Sequence, residues 1–197
     1  MTTTDRRPAL VSAYELAATV AGRVEPGQLH LPTPCADFDV STLVDHLVGA
    51  GHRAAALGRG EQPTGDEFPH VELADAPGAL RAAGREAEAA WADDRRLDAT
   101  VTMPWGETFT GRTLVDMYLT ELVTHAWDLA VATGQQLGGD GLAATALEAA
   151  RSMLRPEYRD AMGPGTPFGK EVEAPSDATV WERLAAFMGR APRPVAA

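Results

Sequence analysis

The sequence predicts an all-α fold, a bundle of four main helices with additions, on three observations. Hydrophobic residues make up 45% of the 197-residue chain. Alanine and leucine dominate them, a balance that favours helix over sheet. Apolar positions recur at three- and four-residue spacing in several long segments. Proline- and glycine-rich breaks separate those segments and account for the connections.

The first helix is predicted from about Ala9 to Val24, on the spacing of Leu10, Tyr14, Leu16, Ala17 and Val20. Pro26 and Gly27 break it. In LHLPTPCADFD, Pro32 and Pro34 hold the chain extended and turn the residue before each away from helix. Asp39 is the predicted N-cap of a second helix, about Val40 to Leu57. Residues 58 to 76 read as a loop, with Asp66 and Glu67 as a solvated acid pair. A third helix is predicted from about Pro77 to Asp94, its proline suited to a first turn.

LDATVTMPWGETFTG changes character. Val101, Met103 and Phe109 flank Pro104-Trp105-Gly106, which predicts a short hairpin or an extended crossing. Trp105 reads as a core residue or as the lining of a pocket mouth. The fourth helix, about Arg112 to Thr133, is the most apolar and stops at Gly134. A fifth covers about Leu142 to Leu154. Residues 155 to 176 read as irregular, and a last short helix runs from about Ala178 to Met188, ending at Gly189. No internal repeat or linker divides the chain, so residues 1–190 are expected to form one domain, with 191–197 as a flexible tail.

A formal net charge of -11 repels phosphate backbones and anionic membranes, so neither nucleic acid nor membrane is expected as a partner. The single cysteine, Cys35, cannot form an intramolecular disulfide. Together with an N-terminus lacking an apolar signal core, this predicts a cytoplasmic location.

The chemistry concentrates on the fourth helix. Leu114, Val115, Tyr118, Leu119, Leu122, Ala126 and Leu129 form one broad apolar stripe, and Val123, Trp127 and Val131 are apolar on another side. A helix apolar nearly all round is buried. Glu121, His125 and Asp128, spaced i, i+4, i+7, share one strip beside the main stripe. A buried carboxylate is costly unless it is paired or binds a metal. Glu121 and His125 therefore read either as two ligands of one ion or as a helical side-chain pair.

A third ligand must come from a facing helix. On the second helix, His46 lies at the margin of the stripe made by Val40, Leu43, Val44, Leu47 and Ala54, whereas His52 points away from it. His46 is the inward candidate. Arg53, seven residues on, lies on the same side and either steers an anionic substrate or forms a surface salt bridge. Cys35 has no basic neighbour in sequence to lower its pKa and reads as an inert thiol. His30 and His70 read as surface residues in loops.

Two segments resemble the signatures of a known family. TPCADFDVSTLVDHLVGAGHR, from Thr33 to Arg53, and ELVTHAWDLAVATG, from Glu121 to Gly134, are similar to the paired signatures of the metal-binding domain of the mycothiol-dependent maleylpyruvate isomerase family, part of the DinB-like helical-bundle superfamily. FGKEVEAPSDATVWERLAAFMGR is similar to the C-terminal part of single-domain members.

The resemblance implies a DinB-like bundle with a C-terminal extension and zinc, or another divalent transition metal, on His46, Glu121 and His125. Asp128 would orient His125 or a bound group. It also implies mycothiol as a small-molecule thiol that adds to an electrophilic substrate, in a transferase or isomerase reaction. A zinc-dependent hydrolase using bound water, and a non-catalytic metal- or thiol-binding module, are the alternatives. Two features depart from the pattern. Phe38 stands where the first signature has tryptophan, and 197 residues leave no room for the isomerase's further C-terminal domain. The resemblance therefore extends to the metal-binding domain rather than to maleylpyruvate isomerisation itself.

Overall fold

The computed structural model describes residues 4–62, 68–103, 106–154 and 169–193. Its elements in chain order are α1 (Arg7–Ala21), a 3-10 turn (Pro26–Gln28), α2 (Val40–Arg59), α3 (Ala76–Ala90), α4 (Asp94–Asp98), β1 (Thr100–Thr102), β2 (Thr108–Thr110), α5 (Gly111–Ala132), α6 (Asp140–Met153) and α7 (Val180–Phe187). The bundle is α1, α2, α3 and α5. Helix α1 packs on α3 and α5, and α2 packs on the same two helices, so α1 and α2 sit diagonally. Helix α6 lies against α5, and α7 lies against both. No helix among the described residues is long and apolar enough to cross a membrane.

Local chemistry explains the ends of the elements. The Asp39 carboxylate caps α2 by accepting a hydrogen bond from the Thr42 amide at 2.8 Å, as its sequence position predicts. Thr110 caps α5 through the Thr113 amide. Thr179 and Glu182 form a reciprocal capping box at the start of α7.

Two predicted boundaries need correction. The first helix stops at Ala21 rather than Val24. The third stops at Ala90 rather than Asp94, because Trp91 turns inward and its indole N–H donates to the Ala54 carbonyl at 3.0 Å. Asp93 then caps the separate turn α4.

The predicted hairpin is present as an antiparallel pair, with Thr100 opposite Thr110 and Thr102 opposite Thr108. Its Pro104-Trp105 corner lies outside the described residues, as do Asp66 and Glu67, the 155–168 part of the irregular stretch and the 194–197 part of the tail.

The hairpin sets where α5 begins. The Gly111 amide donates to the Ala99 carbonyl at 2.9 Å. A Cβ at Gly111 would fall 2.0 Å from the Arg96 carbonyl oxygen, which is backbone and cannot rotate away. Gly111→Ala is therefore expected to cost about 1–3 kcal/mol, the usual range for overpacking, measured by urea unfolding. A loss well under 0.5 kcal/mol would show that the junction yields freely. From this fixed start α5 runs through the core. Leu114, Leu119, Leu122, Val123, Ala126 and Leu129 are fully buried, and Trp127 nearly so, which matches the all-round apolar wheel.

Candidate metal centre

Helices α2 and α5 pack against each other and bring His46 to face Glu121 and His125. One ligand-type atom from each of the three lies within 4.8 Å of the others. The Nε2 atom of His46 is 3.0 Å from Oε1 of Glu121. The His46 and His125 rings meet edge to face, with centroids 4.7 Å apart and an interplanar angle of 77°. His46 is only 7% exposed, yet neither of its nitrogens makes a hydrogen bond. The contact with Glu121 is short but badly directed. A buried imidazole left without a hydrogen bond is costly.

Aromatic rings close in around this group. Phe38 and Phe68 stand 4.9 and 4.5 Å from the His46 ring, centroid to centroid. The Arg53 guanidinium lies 5.0 Å above the Phe68 ring, within cation–π range. Arg53 is half-buried, and its charge is felt by Glu121 and Tyr118. Arg53 thus lies beside the site.

Behind His125 stands a chain of buried charge. Nδ1 of His125 is 3.0 Å from Oδ2 of Asp128, whose side chain is fully buried. Arg190, from the residues following α7, grips the same carboxylate. Its Nε donates to Oδ1 at 3.3 Å and its Nη2 to Oδ2 at 3.1 Å.

Burial pushes the Asp128 carboxyl up, but the His125 contact and the Arg190 charge outweigh it and hold it below the ordinary value. An ionised Asp128 would accept from Nδ1–H and leave the lone pair of His125 on Nε2. Burial is also the largest influence on His125. It lowers the imidazole pKa, against the raising effect of Asp128. For Glu121, burial raises the pKa, while His46, His125 and Arg53 together bring it below the usual carboxylate value. Each direction favours the form that can ligate a cation.

Two imidazoles and one carboxylate suit a divalent transition metal, and three protein ligands leave a position open. A cation among them would also engage the stranded imidazole of His46, so the residues fit such a group. A second set, Cys35, His125 and Asp128, also comes within 4.8 Å. It fits less well, because Asp128 is already engaged by Arg190 and His125. Burial also pushes the Cys35 thiol up, against a lowering effect of Arg190. This basic neighbour of Cys35 in space is absent from its neighbourhood in sequence.

The remaining histidines lie elsewhere. His52 is exposed, 3.9 Å from Glu86, and His30 is exposed. His70 pairs with Asp45 on the surface. Sequence reasoning missed Arg190, Phe68 and the proximity of Cys35 to His125. No local periodicity marks any of them.

The family model described as "Mycothiol maleylpyruvate isomerase N-terminal domain" matches residues 11–130. Two uncharacterised proteins of Mycobacterium tuberculosis, from strains CDC 1551 / Oshkosh and H37Rv, are each 34% identical over 182 residues, covering 92% of this chain and 95% of theirs. No solved structure matches the chain. The matched segment contains His46, Glu121, His125 and Asp128 but ends before Arg190.

Proposed function

Because the chain belongs to the family of the mycothiol maleylpyruvate isomerase N-terminal domain, we propose that it binds a divalent transition metal, zinc by its donor set, on His46, Glu121 and His125, and uses it in a thiol-dependent transfer or isomerisation of a small electrophile. The observation that carries this reading is the His46 imidazole, buried without a hydrogen bond beside one carboxylate and a second imidazole.

Zinc held by these three residues would lower the pKa of a thiol at its open position, making it a nucleophile near neutral pH. The family's name points to mycothiol as that thiol. Asp128 keeps His125 oriented with Nε2 inward. Phe38 and Phe68 exclude water, which strengthens every charge interaction at the centre. Arg53 would hold an anionic group of the electrophile.

The functional test is turnover of small electrophiles with a low-molecular-weight thiol, mycothiol first. Activity that needs both thiol and metal is expected. Metal-dependent hydrolysis without thiol would overturn the thiol role, and metal binding without any turnover would leave a binding module.

Two further outcomes are expected. His52→Ala should retain the wild-type metal content by elemental analysis, since His52 is exposed on another face of α2. Loss there would contradict the choice of face. Metal should also leave as pH falls below roughly 6, because neutral imidazole is the ligating form. The sign follows from His125, whose folded pKa lies below its ordinary 6.5. The ring stays neutral at pH 7 and protonates only in acid. The unfolded chain takes up that proton first, so the stability of the metal-free protein should fall too as pH drops from 6.5 through the folded value. Metal retention down to pH 4 would contradict the imidazole ligands.

A further inference from the structure

We propose that Arg190 is a positioning residue for the metal centre, acting through Asp128 to fix which nitrogen of His125 faces the ion. The inference rests on the metal reading above and extends it to the residues that follow α7, beyond the matched segment.

Three observations support it. Arg190 is 5% exposed and Asp128 fully buried, so the pair does nothing for solubility and sits where screening is weak. The guanidinium fork reaches both carboxylate oxygens, through Nε to Oδ1 and Nη2 to Oδ2. A two-point grip sets the plane of the carboxylate as well as its place. With its plane set, Oδ2 meets Nδ1 of His125 at 3.0 Å. A carboxylate oxygen at that place favours the tautomer with the proton on Nδ1 and the lone pair on Nε2.

The backbone holds the guanidinium ready. Gly189 has φ +82, a left-handed turn that sends the chain from the end of α7 back towards α5. A Cβ there would also strike the Gly169 backbone at 2.6 Å. The Arg190 amide donates to the Ala185 carbonyl at 2.9 Å. Its Nη1 donates to the Met188 carbonyl at 2.8 Å. The side chain is thus tied to its own turn before it reaches Asp128, which reduces the entropy lost in making the contact.

The test uses full-length Arg190→Met and Arg190→Lys with two readouts. The first is zinc affinity by competition with a chromophoric chelator. Arg190→Met is expected to bind zinc roughly 10- to 100-fold more weakly than wild type, the usual cost of losing an outer partner of a ligand. Arg190→Lys, which keeps the charge but loses the fork, should fall between.

The second readout is the 15N spectrum of the His125 ring in the metal-free protein. Wild type should show the Nδ1–H tautomer, and Arg190→Met a mixture. A folded Arg190→Met with wild-type affinity and wild-type tautomer would overturn the proposal. Should Arg190→Met fail to fold, Arg190→Lys decides it, with wild-type values in both readouts as the contrary result. If wild type itself binds no zinc, the metal reading fails, while the tautomer still decides the role of Arg190.

Discussion

Zinc affinity is expected to fall by on the order of 100-fold or more in His125→Ala, about 2.7 kcal/mol or more of binding free energy. Substituting an outer partner of a metal ligand costs 10- to 100-fold, and His125 stands one step closer to the ion. Its removal takes away Nε2, one of three donors. It also removes the Nδ1 partner of Asp128, leaving that carboxylate to Arg190 alone. Alanine is the best helix former, so α5 should persist, and any loss of stability can be measured separately on the metal-free protein. Chelator competition on wild type and variant gives the ratio. An affinity within a few-fold of wild type would remove His125 from the ligand set.

The second large effect concerns stability rather than binding. Asp128→Ala in the metal-free protein is expected to lower the unfolding free energy by about 3–5 kcal/mol, the usual cost of breaking a buried ion pair from one side. The magnitude comes from what remains. Arg190, 5% exposed, would keep its charge with its carboxylate partner gone. Most of the loss should return in Asp128→Ala with Arg190→Met, because that pair of changes removes both charges together. The exposed pair between Arg81 and Glu15, 2.8 Å apart at 44% and 60% exposure, has a similar distance, but solvent screens it and its loss should cost far less. Urea unfolding of these variants checks both statements. A loss below 1 kcal/mol in Asp128→Ala would mean that the buried pair is freely solvated.

The parts of this molecule legible in the sequence are those written in short-range pattern. Asp39 sits where a cap must sit, and the all-round apolar wheel marked α5 as a core helix. The angular offset between His46 and His52 was enough to separate a buried histidine from an exposed one, because both lie on one regular helix. Glu121, His125 and Asp128 declared themselves by sharing a strip of a buried helix. What stayed hidden depends on contacts between distant residues. Arg190 lies 62 residues from Asp128 and reads locally as the charged end of a short helix. Cys35 meets Arg190 only after the chain folds. Trp91 ended α3 early because a carbonyl on α2, that of Ala54, was available to its indole. Helical periodicity carries no trace of such a partner.

The central claim is that one divalent metal is held by His46, Glu121 and His125, and X-ray absorption at the zinc edge tests it most directly. The zinc-loaded protein, in buffer free of thiol, should show about one zinc per chain with nitrogen and oxygen neighbours at roughly 2.0–2.1 Å, including the outer scattering of two imidazoles. That pattern should be lost in His46→Ala. A sulfur neighbour at about 2.3 Å would instead place the ion on the Cys35 set and contradict the account, as would a wild-type spectrum unchanged in His46→Ala.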